Sequence, residues 1–210
     1  VDLDEVSRAG DGVGRAEECD LHGANLAQPG RAAIDARRPA DNAGMRLFLA
    51  LWPDAAVRQR LVDASSAWPW PPQAAPVPSE RLHLTLHYLG ELGEVETASL
   101  RARLPSLPEP FVLEFGRAAL WPQGIAVLQP LGVPPGLVAL HAALELALGE
   151  LGVRTDIRPF RPHVTLARHA QATSLPAESP RWAWPVNGYA LVQSVSGPPL
   201  RYDVLQHLGR

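Results

Sequence analysis

The sequence predicts an α+β fold with largely antiparallel sheets, and three observations predict it. A strand, a helix and a second strand follow one another twice along the chain. The second strand carries one pattern each time, His83-Leu84-Thr85-Leu86 and His163-Val164-Thr165-Leu166, 80 positions apart. Mixed strands and helices with hairpin-like neighbours then favour antiparallel pairing. The repeat itself suggests a pseudo-two-fold arrangement with one motif from each half.

Taken in order, residues 1–44 read as an N-terminal extension, disordered or an upstream start. They carry nine acids against five Arg and no sustained apolar period, a composition that does not readily offset the entropy of ordering. Met45 is the only methionine and opens the first convincing strand, Met45 to Leu51. Pro53-Asp54 then punctuates before a helix expected over residues 55–64. The proline-rich stretch 68–78 is a connector, and the first His-Thr strand follows at 82–88, ending at Gly90. A helix over 95–103 and strands near 111–120 and 124–129 come next. Gly136 precedes the clearest helix, in which Leu137, Leu140, Leu144, Leu148 and Leu151 form one apolar stripe; Gly152 ends it. The second His-Thr strand is expected at 163–168, and strands near 183–194 and 202–207 close the chain. Residues 45–210 form a single domain in this reading.

The composition, 46% hydrophobic and 20% charged, is that of a globular protein. All 19 basic residues are Arg, yet the net charge is −3, which argues against a broad polyanion-binding surface. Without residues 1–44, 14 Arg face 13 acids, so a small basic cleft is compatible with the balance. Cys19 is the only cysteine, which excludes an internal disulfide and a cysteine metal cluster. No secretory or membrane-spanning pattern stands out, and the cytoplasm is the expected compartment.

The chemistry lies in the two motifs. Alternate strand residues share a face, so each motif presents one imidazole and one hydroxyl while its aliphatics face the core. Two such walls brought together supply His83 and His163 as an acid–base pair that works near neutral pH. Thr85 and Thr165 suit phosphate oxygens. Two histidines without a carboxylate at ligand spacing do not make a metal shell, and there is no Gly-x-Ser-x-Gly elbow. Arg161 shares the parity of His163, and Arg161 and Arg168 are candidate phosphate contacts through their planar guanidinium groups. His87 shares the parity of His83 and is expected at the cleft rim or paired with a local partner. His141 and His169 read as structural or solvated. Phe48, Phe160, Trp121 and Tyr202 are candidates to stack a base, or core residues.

With these residues in hand, the chain resembles the 2H phosphoesterase superfamily, and within it the RNA 2′,3′-cyclic phosphodiesterases, historically called 2′-5′ RNA ligases. The resemblance covers residues 45–208. It rests on Met45 to Ala50, Leu82 to Gly90, Arg158 to Arg168, Val192-Gln193-Ser194 and Arg201-Tyr202, with Tyr88 where the family usually has Phe. It implies a bilobal fold with two largely antiparallel sheets around a central cleft, and no metal or other cofactor. It also implies hydrolysis of 2′,3′-cyclic phosphates on RNA ends or nucleotides to 2′-phosphomonoesters; a monomer is expected. His163 would be the general base, His83 the general acid, and Thr85 and Thr165 the holders of the non-bridging oxygens. A 2′-5′ RNA ligase acting on tRNA halves and a non-catalytic nucleotide-binding module are the alternatives.

Overall fold

The computed structural model describes residues 44–179 and 181–209. The extension expected over 1–44 lies outside the described residues except for Gly44, as do Cys19 and His22. Nine strands and three helices follow: β1 (Met45–Leu51), α1 (Ala55–Ser66), β2 (Ala75–Pro76), β3 (Leu84–Leu92), α2 (Glu94–Arg103), β4 (Phe111–Trp121), β5 (Ile125–Pro130), α3 (Pro135–Glu150), β6 (Val164–Arg168), β7 (Trp182–Val186), β8 (Gly188–Val195) and β9 (Arg201–Gly209).

Local chemistry sets the helix ends. The Asp54 side chain accepts from the Val57 amide at 2.8 Å and so caps α1. Pro135 sits in the first turn of α3, where its missing N–H costs no hydrogen bond. That helix stops where Gly152 takes φ +71° and the Val153 amide donates back to Leu148 O at 2.9 Å.

The strand order is β7-β4-β5-β6-β3-β1-β8-β9, with β2 on the edge of β6, and every pairing is antiparallel. This is a bilobal α+β sheet with the expected duplication. β1-α1-β3 in one half matches β5-α3-β6 in the other, and each half has four strands in equivalent order. The two sheets are continuous, however. They are joined at one residue pair, Leu84↔Val164, beyond which β2 takes over as partner of β6. A second difference concerns the strand expected near 183–194. It splits at Asn187 into β7 and β8, one at the outer edge of the β4 half and one beside β1. Gly188 marks the change because a Cβ there would sit 2.5 Å from the Leu208 carbonyl oxygen of β9.

The helices interlock the halves. α1 packs on β6 and α3 packs on β3, so the helix of each half supports the motif strand of the other. Their buried faces (Val57 and Leu61; Leu137, Leu140, Leu144 and Leu148) meet Leu47, Leu49, Leu51, Leu84, Val164 and Leu166 in one main core. On the opposite side of the first half, Phe48, Ala50, Ala190 and Val192 form a smaller cluster, flanked by Trp52, Tyr88, Tyr202 and Val204. Among the described residues, no helix is long and apolar enough to cross a membrane.

Candidate active site

The bridge Leu84↔Val164 decides where the motif side chains go. Leu84 and Val164 are both fully buried on the core side, so their neighbours His83, Thr85, His163 and Thr165 project from the other face. All four are partly exposed there. Antiparallel register at that pair carries His83 toward Thr165 and Thr85 toward His163, a two-fold relation about the bridge. The structure thus brings the four predicted motif residues to one cleft.

Each histidine is fixed the same way. His83 Nδ1 lies 2.6 Å from the Arg81 carbonyl oxygen, and His163 Nδ1 lies 2.6 Å from the Arg161 carbonyl oxygen. A carbonyl only accepts, so Nδ1 carries the proton in both rings and Nε2 is left for chemistry. His83 Nε2 is 3.2 Å from Thr85 Oγ1. The repeated unit is therefore Arg-x-His-x-Thr-Leu, since Arg81 and Arg161 are equivalent; extending the alignment of the two motifs by two residues upstream reveals Arg81.

The Leu that ends each motif carries a β-bulge. Along β3, Thr85 faces Ala50 and His87 faces Leu49, leaving Leu86 as an extra residue. Along β6, Thr165 faces Val127 and Ala167 faces Ala126, leaving Leu166 extra. An extra residue reverses the side-chain parity beyond it. His87 therefore leaves the cleft face and is buried behind the sheet, not at the cleft rim expected from strict alternation. The same reversal turns Arg168 toward the cleft. Arg168 is half-buried, and its charge acts on both His163 and Tyr202. Arg161 has an exposed side chain and contributes its carbonyl. Arg158 is held by Asp156 at 2.8–2.9 Å, and Asp156 also accepts from the Arg158 amide at 3.0 Å.

The surroundings of the two imidazoles differ. His83 sits among Phe48, Trp52 and Tyr202, with ring centroids at 4.9, 5.7 and 5.4 Å. Trp52 was not among the predicted aromatics; it lies just beyond β1, and Arg58 covers its ring at 5.6 Å. His163 has Trp121 at 4.4 Å. Burial holds the His163 pKa below the ordinary imidazole value, and the Arg168 cation pushes the same way against the Arg161 carbonyl contact. Tyr202 is pushed up by burial, with Arg81 and Arg168 opposing. Phe160 stacks on His141 outside the cleft. Among the described residues, no three His, Cys, Asp or Glu side chains gather as metal ligands.

Residues 54–197 match the family model of the 2′-5′ RNA ligase superfamily. The chain belongs to that superfamily. A Thermus thermophilus protein named RNA 2′,3′-cyclic phosphodiesterase is 36% identical over 172 residues, which span 73% of this chain and 84% of the relative. The Escherichia coli protein of the same name is 32% identical over 153 residues, covering 71% and 86%. The crystal structure of E. coli LigT with 3′-AMP superposes with a TM-score of 0.70 at 30% identity, covering 79% of this chain and 98% of LigT. The superfamily fold accordingly carries the paired motifs in this chain at the junction of its two halves.

Proposed function

We propose that the chain hydrolyses the 2′,3′-cyclic phosphate ends of RNA or nucleotides to 2′-phosphomonoesters, with His163 as base and His83 as acid. The observation that carries this reading is the Leu84–Val164 bridge, which sets two Nδ1-protonated imidazoles and two hydroxyls about one point. In-line displacement at phosphorus needs a proton acceptor on one side and a donor on the other. His163 Nε2 takes a proton from water as the water oxygen bonds to phosphorus. The P–O3′ bond breaks, and His83 Nε2–H gives its proton to the departing 3′ oxygen. Thr85 and Thr165 donate to the non-bridging oxygens as their charge grows, and Arg168 balances that charge.

The unlike surroundings support these roles. Burial and Arg168 favour neutral His163, the form a base needs. Phe48 and Trp52 lie tilted and stacked against His83, and aromatic faces favour a cation. The protein acts in the cytoplasm as a monomer, on the relatives' class of substrate.

The test is incubation of wild type, His83→Ala and His163→Ala with adenosine 2′,3′-cyclic phosphate in EDTA, separating 2′-AMP from 3′-AMP. Formation of 2′-AMP that is lost in both variants is expected. Formation of 3′-AMP would reverse the assigned leaving group. Saturable binding without turnover would move the reading to a nucleotide-binding module, and joining of tRNA halves without hydrolysis would move it to a ligase.

A further inference from the structure

Behind the catalytic face lies a ring cluster that the proposed reaction does not use. Among the described residues, His87, 5% exposed, and Thr97 are the buried side chains of polar type. The His87 Nε2–H donates to the His141 carbonyl oxygen of α3 at 3.0 Å. The two imidazole centroids are 4.0 Å apart, and His141 in turn stacks on Phe160 at 4.1 Å and 25°. The contact is reciprocal, because the Leu86 carbonyl faces the His141 ring.

The two ends of this stack are informative. One end is the bulge residue Leu86, which follows Thr85. The other end is Phe160, which precedes Arg161, whose carbonyl fixes His163. Residues 153–163 have no regular secondary structure, so Phe160 is an anchor for the segment that delivers the second histidine. We infer that His87 and His141 are positioning residues: with Phe160 they form a clamp that runs from the first motif's bulge, through α3, to the second motif's approach, and sets the two motifs relative to each other.

The charge state fits a clamp that works neutral. Burial lowers the His87 pKa, against the His141 carbonyl and the Glu145 carboxylate. His141 is pushed down to about 4 by burial and by His87, with Glu145 and the Leu86 carbonyl opposing. Those are the charged and titratable groups that face the pair. Neutral His87 with its proton on Nε2 can donate to the His141 carbonyl without carrying a buried charge. An aliphatic at position 87 would fill the space with no desolvation of a polar ring, so packing alone does not account for the imidazole.

The test compares His87→Phe, which keeps a ring and loses the donor, with His87→Gln, which keeps a donor. His87→Phe is expected to lower kcat for adenosine 2′,3′-cyclic phosphate on the order of tenfold, leave KM within about twofold, and be largely rescued by His87→Gln. Combined with Phe160→Leu it should cost less than the product of the two single losses, because both cut one path. Nitrogen-15 NMR of the histidine rings gives a readout independent of turnover. His87→Phe, on the first motif's strand, should move the His163 tautomer signals of the second motif. Unchanged kcat with an intact fold, or multiplying losses with His163 signals unmoved, would overturn the inference. The kinetic arm rests on the proposed reaction. If the wild type does not turn over, that reaction is lost and the NMR arm alone decides the clamp. If His87→Phe does not fold, Phe160→Leu asks the question from the other end: moved His83 signals support the clamp and unmoved ones refute it.

Discussion

The halves built around β3 and β6 share a plan down to the bulge after each threonine, yet they put different residues at equivalent places. Beyond the bulge, Tyr88 of the first half corresponds to Arg168 of the second, and His87 corresponds to Ala167. Beside His83 stand Phe48, Trp52 and Tyr202; beside His163 stand Trp121 and the Arg168 charge. A duplicated backbone thus supplies two equal imidazoles with the same tautomer, and the substitutions around them set them apart: burial and the Arg168 cation favour the neutral form of His163, while three aromatic rings surround His83. In the proposed reaction, symmetry would provide the geometry of in-line displacement and departures from symmetry its direction.

Removing either histidine is the largest way to break the comparison. His83→Asn and His163→Asn should each cost about 10²–10⁴-fold in kcat, and their pH profiles should differ. The wild type should give a bell in kcat/KM across pH 5–9. His163→Asn should erase the acid limb, where the base becomes protonated, and His83→Asn the alkaline limb. A monotonic wild-type profile would count against the pair. Thr85→Val and Thr165→Val should follow, at about 10²-fold each if both hydroxyls hold the charged phosphoryl oxygens, measured as kcat under saturation.

Arg168 against Tyr88 sharpens the comparison at the next level. Arg168→Ala removes a cation that lowers the His163 pKa, so that pKa should rise and the acid limb of kcat/KM should shift to higher pH. Activity at the optimum should fall roughly tenfold through the lost charge-assisted contact. Tyr88→Phe at the equivalent place should stay within about twofold with both limbs unmoved. A profile for Arg168→Ala that only drops, without a shift, would remove Arg168 from the electrostatics of His163.

These residues also mark how far the sequence could be read. The two His-x-Thr patterns and the strand–helix–strand repeat are periodic signals, and periodic signals survive folding, so four motif residues and the duplication were legible. A bulge is a single inserted residue with no composition of its own. Leu86 and Leu166 look like ordinary core positions, so strict alternation past Leu86 puts His87 on the cleft side, whereas it is buried behind the sheet. Arg161 fits parity, but its side chain is exposed and its carbonyl does the fixing. The division at Asn187 was hidden for a related reason, since two buried strands separated by one residue read as one run. Trp52 lies near His83 in space through the pairing of β1 with β3, which only the register reveals.

The smallest expected effect is on stability, and it tests the His87–Ala167 difference. A histidine whose pKa is lowered in the folded state binds fewer protons there than in the unfolded chain, where the value is about 6.5. Stability is then flat above that pH and declines as pH falls from about 6.5 toward the folded value, which for His141 is about 4. His87 shifts in the same direction, whereas Ala167 has nothing to titrate. The thermal midpoint should therefore drop by a few degrees between pH 7 and pH 5, and His87→Phe should flatten part of that drop even where it lowers the midpoint at pH 7. Because His163 is also lowered, some slope should survive in His87→Phe and diminish further when His163→Asn is added. An unchanged slope in His87→Phe would mean that water reaches the pair and stabilises its charged form, so that His87 adds no acid sensitivity over Ala167.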